Sequence, residues 1–290
     1  FRAMFHMSND SHLFRTRSQL EDQGLILNGN IFENGKERYL PLYEAKMIHQ
    51  FDHRWATYDR DGARDVTEAE KQNPHFEPLP RYWVRETEVQ KALPETWDKP
   101  WLMGWRDITN STNERTVIAS LIPRVGVGHT MPLFFTDPSK NELLLLANLN
   151  SISLDYLARQ KIGGTHLTYG FLKQLPLLTP DMFEQECPWQ PGLRFDSFVI
   201  QILHRLFAVS DALLRCLPRS STGFSPWDSA SRANLRAELD AGFFLMYGIS
   251  RDEVAFVLDQ FPVLKKNEEA SHGEFLSRRL ILEHYDKLSS

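Results

Sequence analysis

Cysteine is nearly absent: the 290-residue chain has two, Cys187 and Cys216. Two distant cysteines make no disulfide framework, and without a C-x-x-C pair they make no zinc site, so they read as buried free thiols of a cytoplasmic protein. Long apolar runs are missing as well. No stretch approaches the ~20 residues that span a bilayer, so no membrane partner is expected. The opening FRAMFHMSND has neither an initiating methionine nor a signal-peptide layout, and it reads as a chain entered midway. Glycine is scarce where nucleotide chemistry needs it. There is no Walker loop and no G-x-S-x-G elbow, and Gly126-Val127-Gly128 runs on into Thr130-Met131-Pro132, which opens no helix. The ten histidines include no H-E-x-x-H; His49 and His53, four apart, suit one helix face but lack a third ligand. A positive charge excess is also missing. With 33 Lys/Arg against 38 Asp/Glu the net charge is −5, which excludes a wholly basic nucleic-acid binder. Nothing in the chain composes a self-contained active site, and no catalytic residue or metal site is expected.

What is there is unevenly spread. Residues 101–180 carry seven Lys/Arg against five Asp/Glu, while Thr116–Thr136 and Tyr156–Pro180 contain no acidic residue. An anionic partner would meet this middle region first. The apolar share of 42% is enough for a substantial core.

Two motifs invite chemistry that their surroundings refuse. Asn73-Pro74-His75-Phe76 is one residue from the Asn-Pro-Pro-Phe signature that holds a flipped adenine in amino-methylating DNA enzymes. The preceding DVTEAEKQ is polar and acidic, so it forms no buried strand, and the tetrapeptide reads as a loop. From Asp59, oxygen ligands fall at calcium-loop positions one, three, seven, nine and twelve (Asp59, Asp61, Asp65, Thr67, Glu70). Position six must be the glycine of the sharp turn, and here it is Arg64, so a solvated acidic loop is expected.

The pattern of elements is strands first, helices later. Asn28-Gly29 and Asn34-Gly35 within GLILNGNIFENGKERYLPLY signal hairpins. A short helix is expected at Glu86–Ala92 and a buried strand at TVIASLIPRVGV. One helix of about twenty residues is expected over NELLLLANLNSISLDYLARQK, stopped by Gly163-Gly164. Beyond the Pro/Trp-rich ECPWQPGLRF, FDSFVIQILHRLFAVSDALLRCL and SRANLRAELDAGFFLMYGI read as amphipathic helices, and Ser250-x-x-Glu253 and Ser271-x-x-Glu274 as capping boxes. The fold class is α+β: a mixed strand and helix recognition module over 1–190, then an all-helical part over 191–290.

Four blocks carry a resemblance: YLPLYEAKMIHQFDHRWATY (39–58), WRDITNSTNERTVIASLIPRVGVGH (105–129), LLLANLNSISLDYLARQKIGGTHLTYGFLKQLPLL (144–178) and LRAELDAGFFLMYGISRDEVAFVLDQFP (235–262). In order, and over nearly the whole chain, they resemble the C-terminal part of type IIG-like, adenine-N6-specific DNA methyltransferases of restriction–modification and phage-defence systems. The resemblance implies the target-recognition portion, which holds double-stranded DNA. It places methylation, with S-adenosylmethionine, in a methyltransferase domain N-terminal to this sequence, so this chain itself is expected to hold no cofactor. GGTHLTYGFLKQLPLLTP is also similar to the end of recognition domains in type I specificity subunits.

Arg and Lys suit phosphates and guanine edges, Asn suits adenine. Within the blocks these types single out Lys46, His49 and Arg54; Arg106, Asn110, Asn113 and Arg115; Arg124, just after the buried strand; and Lys161, Thr165, His166 and Tyr169 around the Gly163-Gly164 pair. Two rival expectations are a protein-interaction scaffold of a defence complex, docking through the helical third, and a complete methyltransferase with degenerate motifs.

Overall fold

The two Asn-Gly pairs turn the chain where the sequence signals it. Gly29 (φ 62°) turns strand Ile26–Asn28 into Ile31–Glu33, and Gly35 (φ 80°) turns that strand towards Arg38–Tyr43. Both lie in the left-handed region, where a side chain would be strained. The computed structural model describes residues 1–136, 142–217 and 223–290. Its main sheet has the order Phe14–Arg15, Trp83–Arg85, Arg38–Tyr43, Ile31–Glu33, Ile26–Asn28, all antiparallel, and Gly126–Val127 joins Arg38–Tyr43 in parallel. That parallel approach needs glycine, since a Cβ on Gly126 would sit 2.5 Å from Val84 Cγ1. A second antiparallel sheet orders Leu133–Phe134, Trp101–Trp105, Ala119–Pro123, and Ala56–Asp59 pairs with Gly62–Asp65. Within TVIASLIPRVGV the buried strand is Ala119–Pro123, while Gly126–Val127 is a separate strand in the other sheet, and the helix Glu86–Ala92 stands at the expected place. Strands dominate the first half and helices the second, an α+β fold.

The chain forms two compact units, each assembled from separated segments rather than parted near residue 190. Unit 1 takes Phe1–Asp107, Ala119–Phe135 and Phe207–Trp227; unit 2 takes Ile108–Ile118, Thr136–Leu206 and Asp228–Ser290. The sheets belong to unit 1 and the long helices to unit 2. In unit 2 the helix Ser229–Met246 packs on Leu276–Ser289, and the core they share (Ala237, Ala241, Phe244, Ile281, Tyr285) extends to Ile152 and Tyr156. A second cluster stacks Phe183 on Phe195 with Phe243 set edge-on to both, so these aromatics have partners inside the unit.

Two helices expected from periodicity break in specific ways, and one expected helix start is not used. The leucine-rich run is two helices, Glu142–Asn150 and Ile152–Lys161. Ser151 caps the second through Leu154 N, and the freed Ile152 N–H donates to Asp240 Oδ1 at 2.7 Å. FDSFVIQILHRLFAVSDALLRCL likewise divides into Phe195–Phe207 and Asp211–Cys216, the second capped by Ser210. Ser250 and Glu253 do form the capping box, but Ser271 does not. Pro262–His272 runs past it to Gly273 (φ 77°), and Ser271 Oγ donates back to Asn267 O. A side chain that bonds its own helix cannot cap the next one.

Candidate nucleic-acid interface

One buried carboxylate organises the exposed end of unit 2. Asp155, on helix Ile152–Lys161, is wholly buried and accepts from Arg115 Nε (2.8 Å), Arg159 Nε (3.0 Å) and the backbone N–H groups of Thr116 and Val117. The two arginines spend their remaining donors on backbone. Arg115 donates to Asn150 O at 2.7 Å, while Arg159 donates to the carbonyls of Ser111 (3.1 Å), Asn113 (2.7 Å) and Glu114 (2.6 Å). Arg159 also lies 4.1 Å over the Phe261 ring. The segment 111–117 is therefore tied to the helix Ile152–Lys161 at six points, and charge-assisted bonds of this kind are the strong ones. Removing one partner of such a buried set costs ~3–5 kcal/mol, because the remaining charges lose their compensation.

The surface this network carries is free of acids. Thr109 N donates to Thr165 O at 3.0 Å and Ile108 bridges His166, which brings the segment 108–113 beside 161–174. Neither 108–113 nor 156–180 contains Asp or Glu. Of the neighbouring acids, Asp155 is neutralised underneath, and the Glu114 carboxylate accepts from Asn267 Nδ2 at 2.7 Å. Lys161, Thr165, His166 and Lys173 are exposed, and Lys161 makes no ion pair among the described residues. Tyr169 is 58% exposed with Lys173 Nζ 5.4 Å from its ring centre, and Ile108 is 56% exposed. Gly163 and Gly164 have open space where a Cβ would stand, so a ligand backbone can come close there. The set combines point cations, a stacking ring and amide or hydroxyl groups over a rigid scaffold. Those are the elements that track a phosphate backbone and touch bases.

The remaining selected residues divide by burial. Asn110 folds its side chain into a turn, Oδ1 accepting from Thr112 N and Oγ1; Asn113 is exposed, with Nδ2 donating to Thr109 Oγ1 at 3.3 Å. Lys46 is exposed and covers the Tyr58 ring, and His49 stacks on Trp55. Arg124 follows its buried strand half-exposed, with no side-chain hydrogen bond or ion pair among the described residues. Of the arginines read from the sequence as DNA contacts, Arg54 and Arg115 are buried and Arg106 is half-buried. Arg54 has no exposed surface and donates to the carbonyls of Lys71, Asn73, Phe76 and Val209. Arg106 is drawn in by Ala45 O and Ile48 O, and burial lowers its pKa to about 10. Arg115 belongs to the Asp155 network. Lys46, His49, Arg54, Arg106 and Arg124 lie in unit 1, while Asn110, Asn113, Arg115, Lys161, Thr165, His166 and Tyr169 lie in unit 2.

Sequence reasoning passed over Asp155, Arg159 and Lys173. The i,i+4 spacing of Asp155 and Arg159 was a visible signal, and Lys173 stands within the acid-free stretch already noted.

The two tempting motifs are spent on structure. Asn73 caps helix Glu68–Gln72 and its Oδ1 accepts from His75 N, so 73–76 is a turn and the amide is engaged. Of the acidic loop, Arg64 pairs with Asp59 and Glu70, which holds Glu70 down to about 2, and Glu70 completes a capping box with Thr67. Among the described residues no three His, Cys, Asp or Glu side chains are grouped to hold a metal. The glycines at 126 and 128 serve the sheet: Gly126 pairs with Leu42, and Gly128 N donates to Tyr43 O. No helix among the described residues is long and apolar enough to cross a membrane. Comparison of the chain with protein-family models, curated proteins and solved structures returned no match.

Proposed function

We propose that this chain is the DNA-contacting, target-recognition portion of an adenine-N6 DNA methyltransferase of a restriction–modification or phage-defence system. It acts in the cytoplasm beside a methyltransferase domain that supplies S-adenosylmethionine chemistry. The single observation that carries the DNA-binding part is the acid-free, exposed surface of unit 2 around Lys161, Tyr169 and Lys173, held rigid from beneath by Asp155. In a chain of net charge −5 such a surface is where a polyanion meets the least repulsion. The resemblance set out above supplies the enzyme class.

The test is duplex binding by fluorescence anisotropy across a salt series. Affinity is expected to fall steeply as salt rises. Replacing Lys161 and Lys173 together by alanine is expected to reduce the salt slope by about one per lost phosphate contact, equally on all sequences. Tyr169→Ala is expected to weaken binding while leaving that slope unchanged. Absence of duplex affinity at low salt would overturn the reading in favour of a protein-interaction scaffold.

A further inference from the structure

The segment Phe207–Leu217 leaves a helix of unit 2 and is incorporated into unit 1, held there by residues 51–77. Phe207 meets the Phe51 ring edge-on at 5.9 Å, and Phe51 holds φ 58°, an uncommon angle for a bulky residue. Val209 O accepts from Arg54, Ser210 Oγ lies 3.3 Å from His53 Nε2, and Asp211 N donates to Pro74 O at 3.0 Å. Farther on, Cys216 Sγ donates to Pro100 O at 3.3 Å.

Glu77 stands beneath this strap with its side chain only 12% exposed. One carboxyl oxygen is 3.9 Å from His53 Nε2; the other, Oε1, is buried without any hydrogen-bond partner. The Ala212 backbone N–H, at the start of the strap's short helix, is directed at the same carboxyl. From the sheet side comes Tyr43, whose buried Oη also lacks a partner, and from the loop beside it Arg54, whose Nε is likewise unpaired. Asp52 faces the cluster but is taken by Lys71 at 2.6 Å; from the strap Asp211 and Arg215 face Glu77, with Asp211 also bonded by exposed His75. An ionised Glu77 thus has few donors and little water, whereas a neutral one fits.

We propose that Phe207–Leu217 is a pH-sensitive strap, held closed by a protonated Glu77 and loosened when that carboxyl ionises. Desolvation outweighs Arg54 and Arg215 and raises the Glu77 pKa from 4.5 to about 7. The sign follows from linkage. The closed strap binds the Glu77 proton more tightly than the open one, so closure is favoured at low pH and lost as pH rises towards about 7, levelling off above it.

Hydrogen exchange of the intact chain tests this through the amides of Leu214 and Leu217, which donate to Ser210 O and Leu213 O. After correction for intrinsic exchange, their protection is expected to fall about tenfold between roughly pH 6 and pH 8. The strand Arg38–Tyr43 serves as the reference. Glu77→Gln, which stays neutral, is expected to abolish the dependence. Retention of the dependence in that variant, or pH-independent protection in the unaltered chain, would overturn the proposal. Should the variant fail to fold, carbon-13 titration of the Glu77 carboxyl in the unaltered chain decides. A midpoint near 7 in step with exchange supports it, and a midpoint in the ordinary carboxylate range refutes it.

Discussion

Each unit buries arginine, and the two do so by different means. In unit 2, Arg115 and Arg159 share the carboxylate of Asp155 and tie a surface loop to a helix. In unit 1, the Arg54 guanidinium has no carboxylate in hydrogen-bond contact among the described residues; four backbone carbonyls take its two terminal nitrogens, and Nε is left over. The first arrangement neutralises charge within a network and leaves an acid-free surface above it. The second solvates a cation with dipoles, and burial raises the pKa of nearby Glu77 to about 7 against the attraction of Arg54. Buried arginine ties a loop to a helix through a shared carboxylate in one unit, and in the other it gathers backbone carbonyls from separated segments.

The most severe disruption of this contrast is to cut the chain. Residues 191–290 expressed alone lose Ile152, Tyr156 and Phe183 from their cores, and are expected to be molten or to aggregate. A soluble fragment with cooperative urea unfolding would show that the helices need no other segment. Next, Asp155→Ala strands two arginines and two backbone amides, and is expected to cost ~3–5 kcal/mol of stability in urea melts, with loss of duplex affinity. Arg54→Met leaves four carbonyls without their donor, each buried acceptor costing ~1–3 kcal/mol before relaxation, so a net loss of about 3 kcal/mol is expected. If the Arg54 change proves harmless while Asp155→Ala is severe, dipole solvation is the weaker fastening. The Lys161 and Lys173 replacements change stability least, within ~0.5 kcal/mol, because exposed lysines contribute little to it. A larger loss in thermal melts would mean that they hold structure instead of meeting DNA.

Local chemistry made much of the fold legible in the sequence. Asn28-Gly29 and Asn34-Gly35 set hairpins because glycine admits positive φ there. Ser250 and Glu253 set a helix start because both partners of the box lie within one turn. The acid-free stretch 156–180 was visible by counting, and the unit 2 surface lies within it and the segment 108–113. Long-range partners decided the rest. Ser151 ends a run that periodicity carried through because Asp240, 88 residues away, takes the Ile152 amide. Arg54 and Arg115 have the composition of DNA contacts, yet carbonyls at 71–76 and 209 claim the first and Asp155 the second. The assembly of unit 1 from separated segments has the same origin, since Phe207 and Ser210 meet Phe51 and His53, more than a hundred positions earlier. Composition and short-range spacing determine turns, caps and the distribution of charge. Whether a given arginine faces solvent or the interior depends on which distant acceptors fold against it, and tertiary structure alone decides that.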